Sequence, residues 1–172
     1  GTDWLQSQLN ADGGFQNAGD IATPFQSTAE TLRTFDTLAV DADTTASLQF
    51  INSETLNNTE NLARKIIANA DAGINVSGLL GQLLQHRNRD GGFGDLAGYD
   101  SNPLDTAFAL EALAVAGQSG SQAAGFAVGY LLNAQSTNGG WSLAGNEPSV
   151  YVTALAMRAV WQYRGIFNVA NN

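Results

Sequence analysis

The 172-residue sequence contains no cysteine, one histidine and a single lysine, and these scarcities exclude several classes of function. Without cysteine the chain cannot form disulfides, thiolate zinc sites, cysteine nucleophiles or internal thioesters. Seven basic residues stand against sixteen acidic ones, a net charge of −9, so we expect neither nucleic acid nor an anionic membrane surface as a partner. No apolar run approaches the length of a membrane span. Apolar residues still make up 44% of the chain, which is enough for one buried core.

A four-residue motif occurs three times: at 12–15 and 90–93 as Asp-Gly-Gly-Phe, and at 138–141 as Asn-Gly-Gly-Trp. Each copy follows an apolar stretch that ends in a Gln-containing segment, and each precedes an Ala-rich run that opens near a threonine. A glycine after a helix takes the left-handed conformation that ends it. The Asp or Asn side chain can bond backbone N–H groups in the turn. We predict that the aromatic side chain fills the gap between neighbouring helical hairpins.

The spacing of the motif predicts a repeat of helical hairpins. The first two copies are 78 residues apart, twice a unit length, which predicts a degenerate copy between them as two helices over 45–55 and 57–71. We therefore predict a single all-α domain of about eight helices, in which the second helices form an inner layer and the first an outer one. The second helices of the last two units are apolar nearly all round, which predicts burial. The units are 1–39, 40–73, 74–118 and 119–167.

The repeat resembles that of a known superfamily. Residues 135–141 (Gln-Ser-Thr-Asn-Gly-Gly-Trp) match the Gln…Gly-x-Trp repeat of the prenyltransferase and squalene cyclase superfamily, and residues 90–94 with 101–110 resemble the full repeat of its bacterial members. The resemblance implies an α/α toroid whose inner helices line a central cavity. Complete rings have about six hairpins, so four imply an incomplete ring, and we expect the chain to be part of a longer protein.

The superfamily includes cyclases, protein prenyltransferases, thioester domains, cobalamin carriers and surface modules, so the resemblance implies a fold rather than one function. Squalene-hopene-type cyclases carry Asp-x-Asp-Asp-Thr-Ala, whose middle Asp protonates an alkene, and residues 41–46 resemble this segment with Asp43 as candidate acid. Thr44 replaces the third carboxylate, and the segment precedes an outer helix. The alternative interpretation is a helix N-cap by Asp43 or Thr44. The Asp, Cys and His zinc set of protein prenyltransferases is absent.

Two further patterns have structural interpretations. Hard oxygen ligands in a Gly-rich loop can hold calcium, but the spacing of Asp90, Asp95, Asp100 and Asp105 does not match a calcium-binding hand. We therefore predict no metal site and no cofactor. His86 lies beside Arg87 at the end of an outer helix, and we interpret it as a surface residue that complements the helix dipole.

The resemblance implies that a ligand would bind at the cavity mouth, where the inner helices begin. The first hypothesis is a non-catalytic scaffold or ligand-binding module of a secreted or cell-surface prokaryotic protein, whose partners are an unknown ligand or other domains of the same protein. The alternatives are a terpene-cyclase-like enzyme domain and a carrier of a small ligand such as cobalamin. The candidate binding residues are polar or aromatic and borne on loops or helix starts: Tyr99, Asp100, Ser101, Asn102, Asp105, Asn146, Glu147 and Tyr151.

Overall fold

The described part of the protein is helical. A computed structural model describes residues 1–17, 19, 21–55, 57–145, 147–167 and 169. These ranges hold eight helices and, apart from two isolated bridge pairs, no β-structure, so the prediction of an all-α protein of about eight helices is confirmed. None of these helices is long and apolar enough to cross a membrane. They are α1 (Thr2–Gln6), α2 (Pro24–Thr37), α3 (Thr45–Ser53), α4 (Thr59–Asp71), α5 (Ser77–Leu84), α6 (Pro103–Val115), α7 (Gln122–Ala134) and α8 (Val150–Gln162).

Polar caps set the starts of the longer helices. The Thr23 hydroxyl accepts the N–H of Gln26, and the Gln26 side chain accepts the N–H of Thr23, which forms a capping box at α2. Proline is the first residue of α2 and of α6, where a missing N–H costs nothing. The two helices predicted over 45–55 and 57–71 are observed as α3 and α4. Side-chain caps also start α4, α6, α7 and α8, from Asn58, Asn102, Ser121 and Ser149.

The longer helices pack against one another in chain order. Helix α2 packs on α4, α4 packs on α6, and α6 packs on α8. The helices between them in sequence lie against this row, with α3 on α2 and α4, α5 on α4, and α7 on α6 and α8. The main core lies where α4, α5, α6, α7 and α8 meet.

Helices α6 and α8 have different degrees of burial. Ten of the thirteen residues of α6 are buried, as its apolar sequence predicts. The same prediction is wrong for α8, where Val150, Met157 and Trp161 are exposed. Helix α6 has helices on several sides, whereas α8 packs mainly on α6 and, to a smaller extent, on α7, and its exposed residues face solvent.

The three Gly-Gly-aromatic motifs form the same hydrogen-bonded turn. The first glycine is left-handed in each, with φ of 89°, 94° and 86°. The N–H of the second glycine donates to the preceding Asp or Asn side chain. The N–H of the aromatic residue donates over 2.8–2.9 Å to a threonine hydroxyl of the next long helix. The predicted turn and the burial of its aromatic residue are confirmed at Phe15, Phe93 and Trp141.

Candidate functional site

A cavity of about 640 Å³ opens between α1, the loop after it, α2 and the start of α8. We call it the α2 cavity. Its volume is typical of sites for small organic molecules. Its described lining combines aromatic and aliphatic side chains with amides and hydroxyls: Trp4, Leu5, Gln8, Phe15, Gln16, Asn17, Ile21, Ala22, Gln26, Ser27, Glu30, Thr31, Arg64 and Tyr151.

The two walls of the α2 cavity differ in chemistry. Gln26, Ser27, Glu30 and Thr31 line it from α2 at i, i+1, i+4 and i+5 spacing, so they share one helix face. Trp4 from α1 and Tyr151 from α8 are 59% and 57% exposed, and their rings are therefore accessible for stacking on a ligand. The cavity thus offers aromatic surfaces beside a row of polar side chains, of which Gln26, Glu30 and Thr31 also have hydrogen-bond partners within the protein.

Arg64 is held firmly at the edge of the α2 cavity. Its Nε donates to Glu60 Oε1 over 2.9 Å and its Nη1 donates to Glu30 Oε2 over 3.2 Å. The guanidinium carbon also lies 5.1 Å from the centre of the Phe108 ring. Among the described lining residues Glu30 and Arg64 are the charged ones, and they pair with each other. The cavity therefore suits a ligand without large net charge.

A second charged cluster connects α2, α6 and α8. Glu111 of α6 is 1% exposed and accepts from Arg33 Nη1 of α2 over 2.8 Å. Arg158 of α8 donates to both oxygens of the same carboxylate, at 2.5 Å from Nε and 3.1 Å from Nη2. Burial raises the pKa of Tyr163, the nearby Glu111 carboxylate raises it further, and the Tyr163 hydroxyl donates to the Leu110 carbonyl. The cluster ties three helices together through one buried carboxylate.

The predicted binding residues fall into separate places. Of those that the structure describes, Tyr151 lines the α2 cavity and the others do not. Asn102 caps α6, and Ser101 donates to Asp90, so both have structural partners. Asn146 lies outside the described residues. The remaining loop residues are exposed: Tyr99, Asp100 and Glu147.

Asp105 is buried at the start of α6, where its N–H donates to the Asn102 amide oxygen and its carboxylate accepts from the Asn102 amide nitrogen. Burial raises the pKa of Asp105 to about 6, partly opposed by the Asn102 hydrogen bond, while the charges of Asp95 and Glu60 raise it further. The Asp105 carboxyl group at the start of α6 therefore gains or loses its proton at a pH not far below neutral.

Asp43 matches the capping interpretation better than the acid one. It is exposed, and its Oδ1 accepts the N–H of Thr45 at the start of α3. Hydrogen bonding to the Thr45 side chain, and then to its main-chain N–H, holds the pKa of Asp43 below its usual range. An acid that protonates an alkene must instead be kept neutral, which requires a raised pKa.

The interpretation of His86 as a surface residue is wrong. His86 is 7% exposed, and its Nδ1 lies 2.8 Å from the Thr59 hydroxyl, which donates to the Gly94 carbonyl. Because the hydroxyl hydrogen points to Gly94, Nδ1 of His86 carries the proton in this pair. Burial lowers the pKa of His86. The histidine joins the end of α5 to the start of α4 instead of facing solvent.

Sequence reasoning missed Glu111 and its two arginines. A signal was present, because Glu111 is the one charge in an otherwise apolar stretch of α6, and a buried charge requires a partner. Nothing in the sequence indicates that the partners lie on α2 and α8. The described residues contain no group of three or more His, Cys, Asp or Glu side chains placed to hold a metal ion.

No protein-family model matches the chain, and no curated protein matches it in sequence.

Proposed function

We propose that this chain is a non-catalytic ligand-binding module that takes a small, uncharged or zwitterionic organic molecule in the α2 cavity. The observation that carries the proposal is the cavity itself. It has a volume of about 640 Å³, two accessible aromatic rings and a row of amide and hydroxyl groups along one face of α2. The fixed Arg64–Glu30 pair adds a preorganised donor and acceptor at its edge.

A finer architecture forms part of the same proposal. In it, α2, α4, α6 and α8 are the inner helices of an incomplete α/α toroid, and α1, α3, α5 and α7 are the outer ones. The packing of the long helices in chain order supports it. So does the meeting of Arg33 from α2 and Arg158 from α8 on Glu111 of α6, because helices that face a common axis bring their side chains together there.

A location at the surface of a prokaryotic cell, or outside it, completes the proposal. The single lysine and the abundance of Asn, Thr, Ser, Gly and Ala support it on composition. The α2 cavity does not depend on this location.

Two tyrosines of similar exposure provide the test. Tyr151 lines the α2 cavity and is 57% exposed, whereas Tyr99 is 60% exposed and lies outside it. We expect calorimetric titration with mono- and disaccharides, isoprenoid alcohols and cobalamin to find a saturable ligand. Tyr151→Ala should weaken its binding about tenfold or more, as loss of an aromatic anchor does, and Tyr99→Ala should leave it unchanged. No saturable ligand, or equal loss in both variants, would overturn the proposal.

A further inference from the structure

Two of the three Gly-Gly turns are covered by a helix. On the first turn lies α3, where the Ala46 main chain occupies the space that a β-carbon on Gly13 would need. The Phe50 ring lies 3.1 Å from the position of a β-carbon on Gly14. Gly13 and Gly14 are buried as a result. A glycine is needed here because the neighbouring helix approaches so closely.

The second turn is covered in the same way by α7. The Phe126 carbonyl oxygen lies 2.7 Å from the position of a β-carbon on Gly91, and the Tyr130 ring lies 2.8 Å from that on Gly92. As with Ala46 and Phe50, the residue on the first glycine and the aromatic residue on the second are four positions apart. Residues one helical turn apart therefore contact both glycines.

No helix lies on the third turn among the described residues, although Gly140 is buried and a β-carbon on it would lie 2.6 Å from the Pro148 side chain. A β-carbon on Gly139 would meet only the Gln135 Nε2 atom, at 4.0 Å, and Gly139 is exposed where Gly13 and Gly91 are buried. A groove of about 490 Å³ opens at this place, with Asn138, Gly140 and Pro148 on one side and Val150, Ala154 and Met157 of α8 on the other. Its described lining carries no charge, although the net charge of the chain is −9.

We propose that this groove binds an uncharged face of an α-helix from outside these 172 residues, seated as α3 and α7 are seated on the other two turns. The main chain of one residue would lie on Gly139, and an aromatic side chain four residues later would lie beside Gly140 and Pro148, as Tyr130 lies beside Gly92 and Ser101. Val150 and Met157, now 89% and 58% exposed, would be buried by that helix. The third turn already has the hydrogen bonds and the left-handed glycine of the covered turns, so the groove is preformed.

The native α7 sequence supplies the probe for a test. The probe is a fluorescent peptide of residues 121–135. A hydrocarbon staple joins positions 124 and 128, on the face away from Phe126 and Tyr130. The staple is needed because so short a helix is only marginally stable by itself. We expect saturable binding by fluorescence anisotropy. Alanine at both aromatic positions of the peptide should weaken binding about tenfold or more. In the protein, Met157→Glu should weaken it as much, while Trp161→Glu, on the same exposed helix but outside the groove, should not.

The proposal would be overturned by no saturable binding, by equal loss in the Met157→Glu and Trp161→Glu proteins, or by undiminished binding of the double-alanine peptide. Sedimentation equilibrium of the protein alone tests the other occupant, a second copy of the chain. Suppose the protein dimerises at these concentrations, the Trp161→Glu change dissociates the dimer, and the peptide does not. That result would overturn the proposal in favour of pairing between two copies through their exposed α8 faces. Circular dichroism of each variant checks that the fold is retained. We expect it to be retained, because both positions are exposed.

Discussion

Removing the partners of Glu111 one at a time should show how strongly one buried carboxylate holds three helices together. The changes are Arg33→Met and Arg158→Met, alone and combined, and then both together with Glu111→Leu. Methionine keeps much of the arginine stem while deleting the charge. Glu111 is 1% exposed, whereas the side chains of Arg33 and Arg158 are 27% and 46% exposed.

The expected magnitudes follow from that difference in burial. Either arginine change alone should cost about 1–2 kcal/mol, because it removes one charge-assisted hydrogen bond for Arg33, or two for the more exposed Arg158, but leaves Glu111 one cation. The combined change should cost about 3–5 kcal/mol, since the buried carboxylate then has no cation. Adding Glu111→Leu should recover most of that loss, because no buried charge remains. The triple variant is thus expected to be more stable than the double.

Urea unfolding at pH 7, followed by far-UV circular dichroism, measures these differences, provided that the slope against urea stays constant across the series. The singles and the double also form a thermodynamic cycle that isolates the coupling between the two arginines. A triple variant no more stable than the double would refute the reasoning. So would a double variant that loses less than about 1 kcal/mol, because the three helices would then not depend on the cluster.

Two further predictions concern the start of α6. The pKa of Asp105 is raised to about 6 in the folded protein. Between about pH 4 and 6 the native state therefore binds more protons than the unfolded state. The contribution of Asp105 to the free energy of unfolding consequently falls as pH rises through that window. In urea unfolding, the free energy of unfolding of Asp105→Asn should rise relative to wild type by about 1–2 kcal/mol between pH 4 and pH 7, after discounting for residual hydration of the carboxylate. Parallel pH profiles of the two proteins would contradict the assignment of this pKa to Asp105. Thr106→Val should cost about 1–3 kcal/mol in the same assay, because it leaves the buried N–H of Phe93 without an acceptor. Thr153→Val, at the half-buried third turn, should cost less. The reverse order of the two costs would contradict this reasoning.

The sequence allowed local structure to be predicted in detail because short-range rules decide it. The left-handed glycine, the Asp or Asn bond and the buried aromatic residue of each turn depend on a few neighbouring residues. The start of α6 at Asn102 and Pro103 follows from capping rules in the same way. The features of the turns were predicted correctly without knowing how distant parts of the chain meet.

The arrangement of side chains around the α2 cavity could not be predicted, because it depends on how helices far apart in the sequence pack together. Tyr151 lies on α8, yet it lines a cavity formed mainly by α1 and α2. Tyr99 precedes α6 as Tyr151 begins α8, and it lies outside that cavity. The burial of His86 likewise depends on Thr59, which is 27 residues away. Periodicity identifies the faces of helices but not the angle between successive pairs.

The hydrogen bonds from the aromatic turns to threonine also bear on the order in which the chain folds. Each of these bonds joins residues only 12 or 13 positions apart, whereas the contacts of Glu111 span 78 positions to Arg33 and 47 to Arg158. Closing the longest of these loops costs about 1.6 kcal/mol more chain entropy than closing a turn. The turns can therefore assemble independently and early, and the ionic cluster, which needs α2, α6 and α8 in place, closes last.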